Sequence, residues 1–89
     1  MREVIIIRAA FRQIQKLTLD ELEQIYKTLL TLSREEHTDT KHLQGYPNLR
    51  RTRTGDLRII WQLQNDSNVI LVIKVGQRDR IYDRLFELN

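Results

Sequence analysis

Residues 69–75 read Val-Ile-Leu-Val-Ile-Lys-Val, a β-branched run whose apolar character breaks once, at Lys74. Val and Ile are stiff at χ1 in a helix and pack well on a pleated surface, so the segment predicts a central strand. Such a strand needs neighbours for its hydrogen bonds and layers to cover it, and 89 residues must supply both. That length predicts one domain, 1–89, with a 40% hydrophobic fraction sufficient for a single small core.

Upstream of it, Asn65-Asp66-Ser67-Asn68 marks a turn, and Leu57–Gln64 alternates with the period of a strand. Leu57, Ile59, Trp61 and Leu63 share one face, while Arg58, Ile60, Gln62 and Gln64 share the other. Trp61 therefore reads as core rather than as a platform for a base. Leu49–Thr54 also alternates, with Arg51 and Arg53 on one face and Arg50 and Thr52 on the other. Gly55-Asp56 between these runs signals a two-residue hairpin, although Asp-Gly is the preferred order.

The first half carries a different period. Val4–Ile7 is a short β-branched strand; Phe11, Ile14 and Leu17 then recur every third residue, as on a short amphipathic helix. Thr18-Leu19-Asp20-Glu21 matches a capping box and opens a second helix with Leu22, Ile25, Tyr26, Leu29, Leu30 and Leu32 on its apolar stripe. Ser33–Gln44 is polar and reads as a loop, and Gly45-Tyr46-Pro47-Asn48 as a turn cluster. After Gly76, the spacing of Ile81, Leu85 and Leu88 predicts a closing helix over Asp79–Leu88. The expected architecture is α+β, in the order β-α-α-β-β-β-α, with a helical hairpin packed on a small, mainly antiparallel four-stranded sheet.

Several chemistries are excluded early. The chain has no cysteine, hence no disulfide, thiolate metal site or cysteine nucleophile. Its glycines are Gly45, Gly55 and Gly76, so no glycine-rich phosphate loop follows the first strand. His37 and His42 lie in a polar stretch without a third ligand at useful spacing and read as surface histidines, so neither metal nor cofactor is expected. Asp79 and Asp83 read as surface charges rather than as a catalytic carboxylate pair. No apolar run approaches the roughly 18 residues of a membrane span, and Val4–Ile7 is too short for a signal peptide. A cytoplasmic protein is expected.

The charge distribution points elsewhere. Residues 1–44 hold seven basic and seven acidic side chains, whereas residues 45–89 hold eight and five. Leu49–Arg58 concentrates four arginines, Arg50, Arg51, Arg53 and Arg58, against Asp56 alone. A solvated strand face is the plain account of such a run, with Arg58 paired to Asp56 or Asp83; a phosphate-binding surface is the sharper one. Arg51 and Arg53 point the same way, pairing brings Arg58 near them, and Arg78 with Tyr82 four residues on follows the central strand. Four guanidiniums and a phenol suit a polyphosphate chain with a base to stack on.

The order of these residues carries a resemblance. Lys41-His42-Leu43-Gln44-Gly45-Tyr46-Pro47-Asn48-Leu49-Arg50-Arg51-Thr52-Arg53, followed by Gly55-Asp56-Leu57-Arg58-Ile59-Ile60-Trp61, resembles the L-x-G, R-x-R, G-x-Y/L-R-I-I-Y block of the RelE/ParE superfamily of bacterial toxins. Val72-Ile73-Lys74-Val75-Gly76-Gln77-Arg78-Asp79-Arg80-Ile81-Tyr82 is similar to that superfamily's closing V-G-x-R-x-x-x-Y segment, and Arg8–Leu17 to its opening helix.

The resemblance implies the toxin of a type II toxin–antitoxin module, of the RelE-type branch that cleaves mRNA in the ribosomal A site. The implied partners are a cognate antitoxin, with which it would form an oligomer, the ribosome and mRNA. The branch's catalytic positions fall on Arg51, Arg53, Arg58, Arg78 and Tyr82, and Arg50, Lys74 and Arg80 are expected to bind RNA beside them. By analogy Arg51 and Arg53 activate the ribose 2′-OH and hold the scissile phosphate, Arg58 stabilises phosphorane charge, Arg78 assists the leaving 5′-oxygen, and Tyr82 orients the nucleotide. Well-known members carry lysine at the first two positions; the arginines here keep their protons, which favours electrostatic activation over general-base catalysis. The alternatives are a ParE-like inhibitor of DNA gyrase and a catalytically weak relative that acts by binding only.

Overall fold

A computed structural model describes residues 1–64, 66 and 68–77. The chain runs β1 (Glu3–Ile6), α1 (Arg8–Ile14), α2 (Leu19–Ser33), β2 (Thr40–Leu43), β3 (Tyr46–Thr54), β4 (Leu57–Gln64) and β5 (Val69–Gln77). The strands form one sheet in the spatial order β1-β5-β4-β3-β2, with β1 parallel to β5 and every other pair antiparallel.

The sheet is thus mixed and five-stranded, where the sequence predicted four strands. The additional strand is β2, inside the stretch read as a loop. Thr40-Lys41-His42-Leu43 pairs with β3 as an edge strand, and its middle residues are exposed, which removes the polar–apolar alternation that marks a strand. Gln44-Gly45 closes this hairpin between Leu43 and Tyr46, with Gly45 at φ +83°. β3 starts at Tyr46 rather than Leu49, and Pro47 lies where the β2–β3 register shifts, a place that tolerates a missing N–H. The expected helix Asp79–Leu88 lies outside the described residues.

Gly55-Asp56 does close the β3–β4 hairpin, between Thr54 and Leu57. Only its first position takes positive φ, +60° at Gly55, so glycine stands where a type II′ loop needs it.

The two described helices, α1 and α2, cover one side of the sheet. α2 begins with the predicted capping box: Glu21 N–H donates to Thr18 Oγ1 (3.2 Å) and Thr18 N–H to Glu21 Oε1 (2.9 Å). Ile25, Leu29 and Leu32 are buried, but Tyr26, placed on that stripe from the sequence, is exposed. It lines an open groove of about 330 Å³ with Val4, Ile6, Leu29, Leu30 and Ser33. In α1, Phe11 is half exposed and the fully buried residue is Ala10, whose small side chain lets the helix lie close to β5. Beyond Ile6, where β1 no longer covers β5, the Gln13 side chain takes over: its Oε1 accepts the Val75 N–H at 2.8 Å.

The main core joins Ala10, Ile25, Leu29 and Leu32 to the helix-facing residues Leu57, Ile59, Trp61, Ile70, Val72 and Val75. A smaller apolar cluster, Leu49 and Ile60 with Leu43 and Ile73, lies on the far side. The sheet's far face is therefore only partly apolar, and the rest of it carries the candidate site.

Candidate nucleic-acid interface

Strand register places the cations. Lys41 pairs with Arg51, Arg51 with Ile60, and Ile60 with Lys74, which makes one row across β2, β3, β4 and β5. The adjacent row runs Arg53, Arg58, Gly76. Directly paired residues share a face, with Cβ atoms about 4.5–5.5 Å apart. Lys41, Arg51, Arg53, Arg58 and Lys74 therefore stand on the face turned away from α1 and α2, and Gly76, opposite Arg58, contributes no side chain of its own.

Lys74 reaches that face through an irregularity. Trp61 pairs with Val72 but Ile60 with Lys74, so Ile73 is a surplus residue on β5. Strict alternation from Val72 would have turned Lys74 inward beside Ile70; the bulge turns it toward Arg51 and returns Val75 to the core.

Two pairs of like charges are directly opposed, Lys41 with Arg51 and Arg53 with Arg58. Such pairs destabilise a sheet. Asp39, whose carbonyl accepts the Arg53 N–H (3.0 Å), is the neighbouring acid on β2's side, yet it forms no ion pair with Arg53. Among the described residues no carboxylate lies within ion-pair distance of Lys41, Arg51 or Arg53; the ion pairs present are Arg2–Glu35 and Lys27–Glu23. Asp56 forms no ion pair with Arg58, and Asp83, the other acid expected beside it, lies outside the described residues.

Exposure grades across the patch. Lys41 and Arg53 are exposed, Arg51 is intermediate, and Arg58 and Lys74 are buried, at 4% and 7%. Arg58 Nη1 donates to the carbonyls of Leu57 (3.2 Å) and Gly55 (3.4 Å), which ties its guanidinium to the hairpin.

Arg50 is not brought into this patch. It faces the helix side, its guanidinium carbon 5.4 Å from the Trp61 ring centroid, a cation–π contact. Trp61 is buried, as expected, and its Nε1–H donates to Thr52 Oγ1 (2.8 Å), which in turn shares a hydrogen bond with Thr40 Oγ1 (2.6 Å). Arg78, Arg80 and Tyr82 lie outside the described residues.

Sequence reasoning missed Lys41 because β2 was missed. The available signal was Gln44-Gly45, an x-Gly pair two residues before a proline, which could have closed a hairpin. His42 is exposed on the opposite face, across from Arg50, while His37 lines a cavity of about 230 Å³ with Lys27, Asp39 and Arg53. Among the described residues no cluster of His, Cys, Asp and Glu is placed to hold a metal ion, and no helix is long and apolar enough to cross a membrane.

Comparison with known proteins gives a consistent picture. The family model for the ParE toxin of the type II toxin–antitoxin system parDE matches residues 6–82. No curated protein matches the chain. Among solved structures, the chain is similar to the RelBE2 toxin–antitoxin complex of Mycobacterium tuberculosis, with TM-score 0.76, 22% identity, and coverage of 86% of this chain and 98% of that one. It is also similar to the archaeal RelE–RelB complex of Pyrococcus horikoshii (0.72, 25%, 89% and 97%) and to the isolated RelE toxin of E. coli (0.75, 21%, 98% and 97%).

Proposed function

We propose a function from one premise: the chain belongs to the ParE toxin family of type II toxin–antitoxin systems, within the RelE/ParE superfamily. As a toxin of that superfamily it acts, in our reading, as a ribosome-dependent endoribonuclease that cuts mRNA in the A site and stops translation. The observation that supports this reading is the gathering of Lys41, Arg51 and Arg53 on one sheet face, with Lys41 directly opposite Arg51 and no carboxylate within ion-pair distance of the three among the described residues. Cations gathered in this way favour a polyanion.

In the reaction proposed, the ribose 2′-oxygen attacks the adjacent phosphorus, the P–O5′ bond breaks, and the products are a 2′,3′-cyclic phosphate and a free 5′-hydroxyl. The 2′-proton is lost and the 5′-oxygen gains one. Arg51 and Arg53, the reachable guanidiniums, hold the scissile phosphate and favour the 2′-alkoxide by charge. Neither gives up a proton near neutral pH, so neither serves as the base. Arg58, directly opposite Arg53, is assigned to the phosphorane charge by resemblance. Arg78 is assigned to the leaving oxygen and Tyr82 to the nucleotide by resemblance alone.

The partner proposed is a cognate antitoxin with an acidic and apolar segment that folds on binding and masks this face. The similar structures from M. tuberculosis and P. horikoshii are themselves toxin–antitoxin complexes.

The test is mRNA cleavage on ribosomes programmed with a defined A-site codon. Intact mRNA at stoichiometric toxin would refute the nuclease reading. A second reading, inhibition of DNA gyrase by binding, is favoured by the matched family model itself. Loss of supercoiling activity with translation unimpaired would select it.

A further inference from the structure

We infer that single-stranded RNA crosses the sheet at right angles to the strands and leaves it over the β2 edge, where Lys41 binds a phosphate flanking the one held by Arg51. The inference rests on the nuclease reading and adds a direction and a residue to it.

Three observations lead there. First, the row Lys74–Ile60–Arg51–Lys41 runs from a buried lysine to an exposed one, so access to Arg51 opens toward β2. Second, the paths along β3 are unsuited to a polyanion. Beyond Arg51 in one direction comes Leu49, packed with Leu43, Ile60 and Ile73; beyond Arg53 in the other comes the Gly55-Asp56 loop with its carboxylate. Third, among the described residues β2 is the sheet's edge, with no strand beyond it, and Lys41 is exposed without an acidic partner. A long ammonium stem opposite a guanidinium swings away from it, and a chain of phosphates lets each cation take its own.

Lys41 therefore contributes binding and not chemistry. It contacts the backbone, so its effect is independent of base sequence.

The experiment measures fluorescence anisotropy of an unstructured 2′-O-methyl RNA, which cannot be cleaved, against salt concentration for the native chain, Lys41→Ala, Lys41→Arg and, as a control at an exposed lysine just beyond α1, Lys16→Ala. A parallel arm measures single-turnover cleavage on programmed ribosomes. Lys41→Ala is expected to bind several-fold more weakly, equally for unrelated sequences, with a salt slope smaller by about 0.7, the value for one phosphate contact on a single strand. Lys41→Arg and Lys16→Ala are expected to behave as native, and the saturated cleavage rate of Lys41→Ala to stay unchanged. A native salt slope in Lys41→Ala, a lowered cleavage rate at saturation, or no RNA binding by the native chain overturns the inference. Failure of the native chain to cut ribosomal mRNA while Lys41→Ala still shows the binding defect refutes the nuclease reading alone.

Discussion

Trp61 donates its indole N–H to the hydroxyl of Thr52 across 2.8 Å, from β4 to β3, with both side chains buried. The bond ties the strand that carries Arg51 and Arg53 to the sheet's interior. Thr52→Val keeps the shape and removes the acceptor, leaving the indole N–H without its partner. A loss of about 1–3 kcal/mol is expected, read by urea unfolding followed through Trp61, the chain's only tryptophan. An unchanged midpoint would mean the bond contributes nothing.

Adjacent arginines on β3 should behave oppositely. Arg50→Ala removes the contact with the Trp61 ring and should cost about 0.5–1 kcal/mol of stability while cleavage persists. Arg51→Ala removes a like-charge opposition with Lys41, so stability should hold or rise, by up to about 1 kcal/mol at low salt. Its cleavage rate should fall by about 10²–10³. Thermal melts at two ionic strengths and ribosomal cleavage assays on the same variants separate the outcomes.

Gln13→Ala would leave the Val75 amide without its 2.8 Å acceptor. Hydrogen exchange at Val75 should accelerate relative to Val72, which lies where β1 still pairs with β5, and stability should fall by about 1–3 kcal/mol.

On α2, a hydrogen bond from Lys27 (2.8 Å), reinforced by its charge, holds the Glu23 carboxyl below its ordinary range, and the same contacts raise the Lys27 ammonium. The Glu23 contribution to stability is present above the ordinary carboxylate pKa and lost as pH falls through the lowered value. The Lys27 contribution is present below the ordinary lysine pKa and lost as pH rises through the raised one. Both groups are at the surface, so the melting temperature should barely respond. Lys27→Ala should return Glu23 to an ordinary titration in a carbon-detected NMR experiment.

Strand parity was the most legible feature of the sequence. The period of two in Leu49–Gln64 placed Arg51, Arg53 and Arg58 together and Trp61 inside, as found. The capping box at Thr18 set the start of α2 for an equally local reason. What stayed hidden depends on partners distant in sequence. β2 is a strand because β3 pairs with it, and its own residues lack a buried face. The spacing of Phe11 and Tyr26 identifies an apolar stripe but not where the sheet beneath it ends, and both are exposed. Lys74 could not be assigned to a face from alternation, since alternation fails at Ile73.

That surplus residue has a consequence for how such a protein diverges. Deleting Ile73 would restore plain alternation, with Val72 inward, Lys74 outward and Val75 inward, so both faces would keep their side chains and only the bulge would go. Residue 73 is thus the place where β5 can lose one codon and keep its two faces, whereas the same loss elsewhere in the strand would turn every side chain beyond it to the wrong side.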